Sequence, residues 1–98
     1  MGKLAEQFVQ CHADVHELGL VEVEWHDNLR SDGAMAWAMP GAHVVHVTYQ
    51  LIEEPGMDAA SLEFTMAHEV CHLTGWWDED MATRCGQQAF DTGRCHGL

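Results

Sequence analysis

The segment from Asp58 to Gly75, DAASLEFTMAHEVCHLTG, decides how this chain folds. Its first residues suit a helix start, because Asp58 or Ser61 can accept a hydrogen bond from a free backbone N–H of the first turn. Gly75 suits the end of a helix, since glycine tolerates the left-handed conformation that often follows the last turn. The segment therefore predicts a helix that runs to about Leu73.

The string HEVCH, from His68 to His72, carries the chemistry of this helix. Residues four apart lie on one helix face, so His68 and His72 can present two imidazole nitrogens to a single metal ion. Zinc lowers the pKa of a bound water to about 7, and a carboxylate next to the first ligand can take the proton of that water. The string predicts a Zn²⁺ site with His68 and His72 as ligands and Glu69 as general base.

The longer string HEVCHLTGWWD, from His68 to Asp78, resembles the zincin pattern HExxHxxGxxD, a variant of the metzincin signature in which Asp replaces the third His. The stretch from His46 to Leu73 also resembles the SprT-like and related minimal zincins. The resemblance implies a zinc-dependent metallopeptidase that hydrolyses peptide bonds in a peptide or protein substrate. In those families the strand before the motif helix lies at the sheet edge and binds the substrate backbone, which here is part of His43 to Gln50.

Two residues compete for the place of third zinc ligand. Gly75 permits a chain reversal toward the metal, and Asp78 then falls at the signature spacing, so Asp78 is favoured. The rival is Glu79, because the run from Glu79 to Gly86 resembles the glutamate helix of gluzincins, ExxA(D)xxG, with Thr83 where that pattern has Asp. A third interpretation is that Asp78 only caps the last helix.

The rest of the chain predicts an α+β fold with a small zincin-like core. An apolar stripe of helical period indicates an N-terminal helix from Lys3 to Leu18, and alternation from Val21 to His26 indicates a strand. Residues 34–39 and 42–51 flank a Pro-Gly turn and form a predicted hairpin, which completes a short three-stranded sheet. A C-terminal helix is expected after the two tryptophans.

The composition limits which binding partners and which cellular compartment are expected for this chain. The 98 residues allow one domain, residues 1–98, and 16 acidic against 4 basic residues give a formal charge of -12. Such a charge repels phosphate backbones and anionic headgroups, so neither nucleic acid nor a membrane is an expected partner. No apolar run approaches the roughly 20 residues of a membrane span. We expect a cytoplasmic protein with reduced cysteines, which lack the CxxC spacing of a zinc knuckle.

Several other residues favour a structural role. His12 and His16 are also four apart, but they avoid the apolar stripe and lack a spaced third ligand, so a solvated pair is expected. His43 and His46 differ by an odd number of positions and should point to opposite sheet faces. Tyr49 could donate to an oxyanion, although a packed ring is the more common role of a strand tyrosine.

Cys71 is expected in the core, and so is one of the two rings of Trp76 and Trp77, because large apolar rings are usually buried. An alternative function also follows from the small size of the chain. A non-catalytic zinc-binding module, such as a component of a phage or bacterial assembly, would keep the metal helix without a deep substrate cleft. Retention of Glu69 favours the enzyme, because a structural zinc would need a fourth protein ligand.

Overall fold

The computed structural model describes residues 1–98 and contains four helices and three strands. The elements, in chain order, are α1 (Gly2–Val15), β1 (Glu22–His26), β2 (Ala36–Ala38), β3 (Val44–Thr48), α2 (Tyr49–Glu53), α3 (Ala59–Leu73) and α4 (Glu79–Asp91). The predicted α+β class, the N-terminal helix, the three-stranded sheet and the two C-terminal helices are confirmed. The short helix α2 was not predicted, and it takes up residues that the sequence pattern assigned to a longer third strand.

The three strands form one mixed sheet in the order β1-β3-β2. β2 and β3 are the predicted hairpin and run antiparallel, with Trp37 opposite His46. Its turn contains Gly41 at a φ of 82°, a left-handed conformation that glycine adopts without strain. β1 pairs with the other side of β3 in parallel, and Glu24 lies opposite His46 in that register.

β3 is therefore the central strand, and the expectation that the strand before the motif helix lies at the sheet edge is wrong. The side chains of Val45 and Val47 are fully buried, which explains the central place. Pairing on both sides also gives partners to the backbone N–H and C=O groups of a strand that is buried in this way. The edge strand next to α3 is β2.

The hydrophobic core lies between the sheet, α1 and α3. α3 crosses the middle of the molecule, and Leu62, Met66 and Val70 are fully buried at steps of four along it. α1 contributes Phe8, which belongs to its predicted apolar stripe, and also Val9. This burial accounts for the helical period of the apolar residues in the sequence. It also fixes the position of α3, so that the outer face of this helix lies beside α4.

Two disulfide bonds join distant parts of the chain. Cys11 in α1 is bonded to Cys95 near the C-terminus, and Cys71 in α3 is bonded to Cys85 in α4. The expectation of reduced cysteines is wrong, because the fold brings each pair together although neither pair has a recognisable spacing. Disulfides persist in non-reducing environments, so these bonds point away from the predicted cytoplasmic location. None of the helices has the length and apolar character needed to cross a membrane.

Candidate metal centre

His68 and His72 lie on the same face of α3, one turn apart, and their Nε2 atoms are 3.1 Å from each other. The helix begins as predicted, because the side chain of Asp58 accepts a hydrogen bond of 2.8 Å from the backbone N–H of Ser61. His72 is buried, and His68 is partly exposed. The two ring nitrogens therefore face a common point at the surface of the helix.

Glu79, the first residue of α4, brings a carboxylate to this point. Its two oxygens lie 2.9 Å from Nε2 of His68 and 3.1 Å from Nε2 of His72. The chain reverses between the helices at Gly75, whose φ of 120° suits glycine. We call His68, His72 and Glu79 the helix cluster.

Asp78, the favoured third ligand, is not part of the helix cluster. Its carboxylate caps α4 and accepts a hydrogen bond of 2.8 Å from the backbone N–H of Asp80. This is the capping role that the sequence left open, and it turns the Asp78 carboxylate toward its own helix. The structure brings the rival, Glu79, to the two histidines instead.

The second nitrogen of each histidine has its own partner. Nδ1 of His72 lies 2.6 Å from the backbone carbonyl of Trp76, and Nδ1 of His68 lies 3.3 Å from the hydroxyl of Thr83. A carbonyl only accepts, so Nδ1 of His72 carries the hydrogen, and Nε2 of the neutral ring keeps a free lone pair. Metal-binding histidines are commonly oriented in this way by a partner behind the ring. Thr83 holds the position at which the gluzincin pattern has Asp.

The helix cluster fits a zinc ion by its geometry and by its donor atoms. Tetrahedral zinc with bonds of about 2.0 to 2.2 Å places neighbouring ligand atoms about 3.3 to 3.5 Å apart. The two Nε2 atoms are 3.1 Å apart, and each lies 2.9 or 3.1 Å from a different Glu79 oxygen, which is shorter than that by a few tenths of an ångström. Two imidazoles and one carboxylate are also a common catalytic zinc set. The group could hold a metal ion.

A close contact and a disulfide hold α4 against α3 at this site. A Cβ on Gly86 would lie 3.0 Å from the Cα of His68, so only glycine allows the helices to approach so closely here. The bond between Cys71 and Cys85 joins the same two helices. His16 lies close to these sulfurs, with Nε2 3.8 Å from Sγ of Cys71, but the disulfide removes them as thiolate ligands. Neither the close helix contact at Gly86 nor the disulfide was predicted from the sequence, although Gly86 belongs to the motif that favoured Glu79 as a ligand.

A cavity of about 430 Å³ opens beside the helix cluster, and Glu69, His72 and Glu79 form part of its wall. The Glu69 side chain is buried, and burial raises its pKa to about 7. Burial also lowers the pKa of His68, with a further contribution from His72, and this favours the neutral ring that binds metals. Glu69 thus combines a position next to the candidate ligands with a proton affinity near neutrality.

The opposite wall of the cavity comes from the edge strand β2 and the loop before it. Besides the strand residues, this wall contains Arg30 and Asp32, and Trp77 from the link between α3 and α4 also lines the cavity. Arg30 forms a salt bridge to Asp32 with contacts of 2.9 and 2.6 Å, and its hydrogen bond lowers the pKa of Asp32 to about 2. The cavity therefore has one cation and several carboxylates in its wall.

The remaining aromatic predictions had mixed outcomes. Tyr49 stacks on Trp25 with ring centroids 5.2 Å apart and does not line the cavity. Trp76 is 42% exposed and Trp77 is 70% exposed, so the expectation that one of them lies in the core is wrong. The link between α3 and α4 is short and lies outside the core, so neither ring can reach the interior. Cys71 is fully buried as predicted.

The prediction of a solvated pair in α1 is wrong for His12. This side chain is fully buried, and its Nε2 lies 2.9 Å from a carboxylate oxygen of Glu63 in α3. His96 approaches the other oxygen of Glu63 at 3.4 Å. No local pattern indicated the contact between His12 and Glu63, because it joins residues that are 51 positions apart.

Comparisons with known proteins add no identification: no family model matches this chain, and neither a curated protein nor a solved structure matches it. Only the site itself therefore bears on the function.

Proposed function

We propose that this protein is a zinc-dependent metallopeptidase whose zinc ligands are His68, His72 and Glu79 and whose general base is Glu69. One observation carries the proposal. Donor atoms from two helices converge with separations of 2.9 to 3.1 Å, and a buried carboxylate lines the cavity beside them. The resemblance of HEVCH to the zincin motif supports the same assignment.

The ligand set supports an open site rather than a closed structural one. Asp78, which directly precedes Glu79, caps α4, and the two cysteines near the site are joined to each other. No fourth protein ligand belongs to the group of atoms that converge here. A structural zinc site would normally have all four positions filled by the protein, whereas a catalytic site leaves one for water or substrate.

Glu69 is suited to move protons between the reactants. When bound, zinc supplies a Lewis acid that lowers the pKa of water and polarises a substrate carbonyl. The Glu69 carboxylate takes the proton of the attacking water and delivers it to the leaving amine. Its pKa of about 7 lies near the operating range, where a group can both accept and release a proton.

The edge of β2 is the proposed docking strand for the substrate. The side of β2 away from β3 has no strand neighbour, and residues 36 to 40 line the cavity next to Glu69. An extended peptide can add to such an edge through main-chain hydrogen bonds, which places a scissile bond along the cavity. The strand that the resemblance suggested, β3, cannot accept a further strand because it is paired on both sides.

The test compares wild type with Glu69→Gln, which retains the shape of the side chain but removes the base. We expect both proteins to bind about one equivalent of zinc at the helix cluster. Hydrolysis of an unstructured peptide library by Glu69→Gln should fall about 10²- to 10⁴-fold, the usual cost of removing a general base. The control is Glu53→Gln, an exposed carboxylate in α2 that does not line the cavity, which should cleave like wild type.

Two results would overturn the proposal. Equal cleavage by wild type and Glu69→Gln would show that any activity uses another base or comes from a contaminant. Zinc binding without cleavage of any member of a broad library would replace the enzyme by the non-catalytic zinc-binding module.

A further inference from the structure

The outer face of the sheet carries a second group of metal-binding side chains, remote in sequence from the helix cluster. Glu24 and His26 are two residues apart in β1, so both point to the same face. His46 lies directly opposite Glu24 in the parallel register with β3. We call Glu24, His26 and His46 the sheet-face cluster.

The donor atoms of the sheet-face cluster converge. Nε2 of His26 lies 2.9 Å from Nδ1 of His46, and a carboxylate oxygen of Glu24 lies 3.4 Å from the former and 3.9 Å from the latter. These values surround the separation of about 3.3 to 3.5 Å between ligand atoms of tetrahedral zinc. The three groups are close enough for a single ion to take one ligand atom from each of them.

Trp37 orients both imidazole rings of the sheet-face cluster. The ring of His46 stacks on Trp37 with centroids 5.1 Å apart and planes 10° apart, and His26 packs against the same indole at 4.8 Å. Both rings are therefore held in place before a metal binds, which reduces the entropy that binding must overcome.

We propose that the sheet-face cluster is a second zinc-binding site, with His26 Nε2, His46 Nδ1 and a Glu24 oxygen as ligands, which clips β1 to β3. The site is independent of the proposed peptidase centre, since it shares no ligand with the helix cluster. Its chemistry suits a borderline divalent cation such as zinc, because two imidazoles and a carboxylate match that ion better than calcium or magnesium. The role that follows from its position is structural, since the ligands lie on two neighbouring strands.

The experiment is a zinc titration by calorimetry on chelator-treated protein near neutral pH, in a His68→Gln/His72→Gln background that removes the first centre. This background should bind about one zinc per chain, and zinc should raise its Tm because the ion binds the folded state only. Adding His46→Gln should remove the Tm rise and weaken binding at least about tenfold, since even an outer partner of a ligand contributes 10- to 100-fold. The matched control is His43→Gln, an exposed histidine outside the cluster, which should leave both readouts unchanged.

A background that binds no zinc, or that binds it equally with and without His46→Gln, would overturn the second site. If the background variant does not fold, the same comparison is made with the otherwise wild-type chain, where His46→Gln should reduce the zinc content by one equivalent, whatever the helix cluster binds. A zinc content that His46→Gln leaves unchanged would again contradict the proposal. Loss of peptidase activity plays no part in this readout, so the two proposals fail separately.

Discussion

Two helices of this protein carry histidines four residues apart, and the structure uses the two pairs differently. In α3, both rings point to one place, with Nε2 of His68 and His72 3.1 Å apart and the Glu79 carboxylate beside them. In α1, the two rings have different partners: His12 bonds to Glu63 inside the protein, and His16 lies near Cys71. The same spacing thus gives a candidate metal site in one helix and a buried polar contact in the other.

The difference teaches that the spacing of two ligands is a weaker signal than the position of a third group. α1 packs against α3 on the side where Glu63 lies, so His12 is drawn into the interior and away from His16. His68 and His72 instead face α4, which delivers a carboxylate from outside the helix. A metal site needs such a convergent third donor, because two ligands alone hold zinc weakly.

The prediction with the largest expected effect tests the buried contact between His12 of α1 and Glu63. His12→Ala removes the closest partner of a buried carboxylate, so the free energy of unfolding should fall by about 3 to 5 kcal/mol, the usual result of breaking a buried polar pair. His16→Ala is the control and should cost much less, because this ring is only partly buried and has one weak contact. Urea unfolding measures both. Equal losses would remove the distinction between the two histidines.

The next prediction asks which acid, Asp78 or Glu79, is the third zinc ligand beside the two histidines of α3. Glu79→Ala should weaken zinc binding more than about 100-fold, because a direct ligand contributes at least as much as the outer partners that contribute 10- to 100-fold. Asp78→Ala should retain the zinc and lower the free energy of unfolding by about 1 kcal/mol through loss of the cap. Metal content by mass spectrometry and thermal unfolding separate the two variants. Zinc lost from Asp78→Ala and kept by Glu79→Ala would reverse the assignment.

The smallest effect concerns the contact that lets α4 reach the histidines. Gly86→Ala places a methyl group 3.0 Å from the backbone of His68, so the helices must separate by a few tenths of an ångström. We expect a loss of about 1 to 3 kcal/mol in stability, typical of overpacking, together with weaker zinc binding. Gln88→Ala, an exposed position in the same helix, is the control and should change neither property. Unchanged zinc affinity in Gly86→Ala would show that Glu79 does not depend on this contact.

Local patterns predicted much of the fold. The Asp58 cap and Gly75 predicted the two ends of α3, and the Pro40-Gly41 turn predicted the hairpin. These signals could be recognised because each acts over only a few residues. The alternation in β1 identified a strand but not its partner. Parallel pairing with β3 depends on a connection across the sheet, and no short stretch of sequence encodes it.

The candidate site was predicted in part for the same reason. His68, Glu69 and His72 stand within one helical turn, so their common location follows from helix geometry alone. The choice between Asp78 and Glu79 depends on how sharply the chain reverses after Gly75 and on which carboxylate the cap of α4 takes. Asp78 is the extended N-cap residue and Glu79 is the first residue of the helix, and only the packed position of α4 brings the Glu79 carboxylate to the histidines.

The sequence by itself determined the three long helices, the hairpin, the acidic charge and the pair of histidines on one face, since each of these depends on neighbours in the chain. The tertiary structure alone decided the two disulfides, the burial of His12 against Glu63, the central place of β3 and the convergence of Glu79 on the histidines. All of these join residues from different elements of the fold. Their distances depend on how whole helices and strands pack against one core, which no local propensity contains.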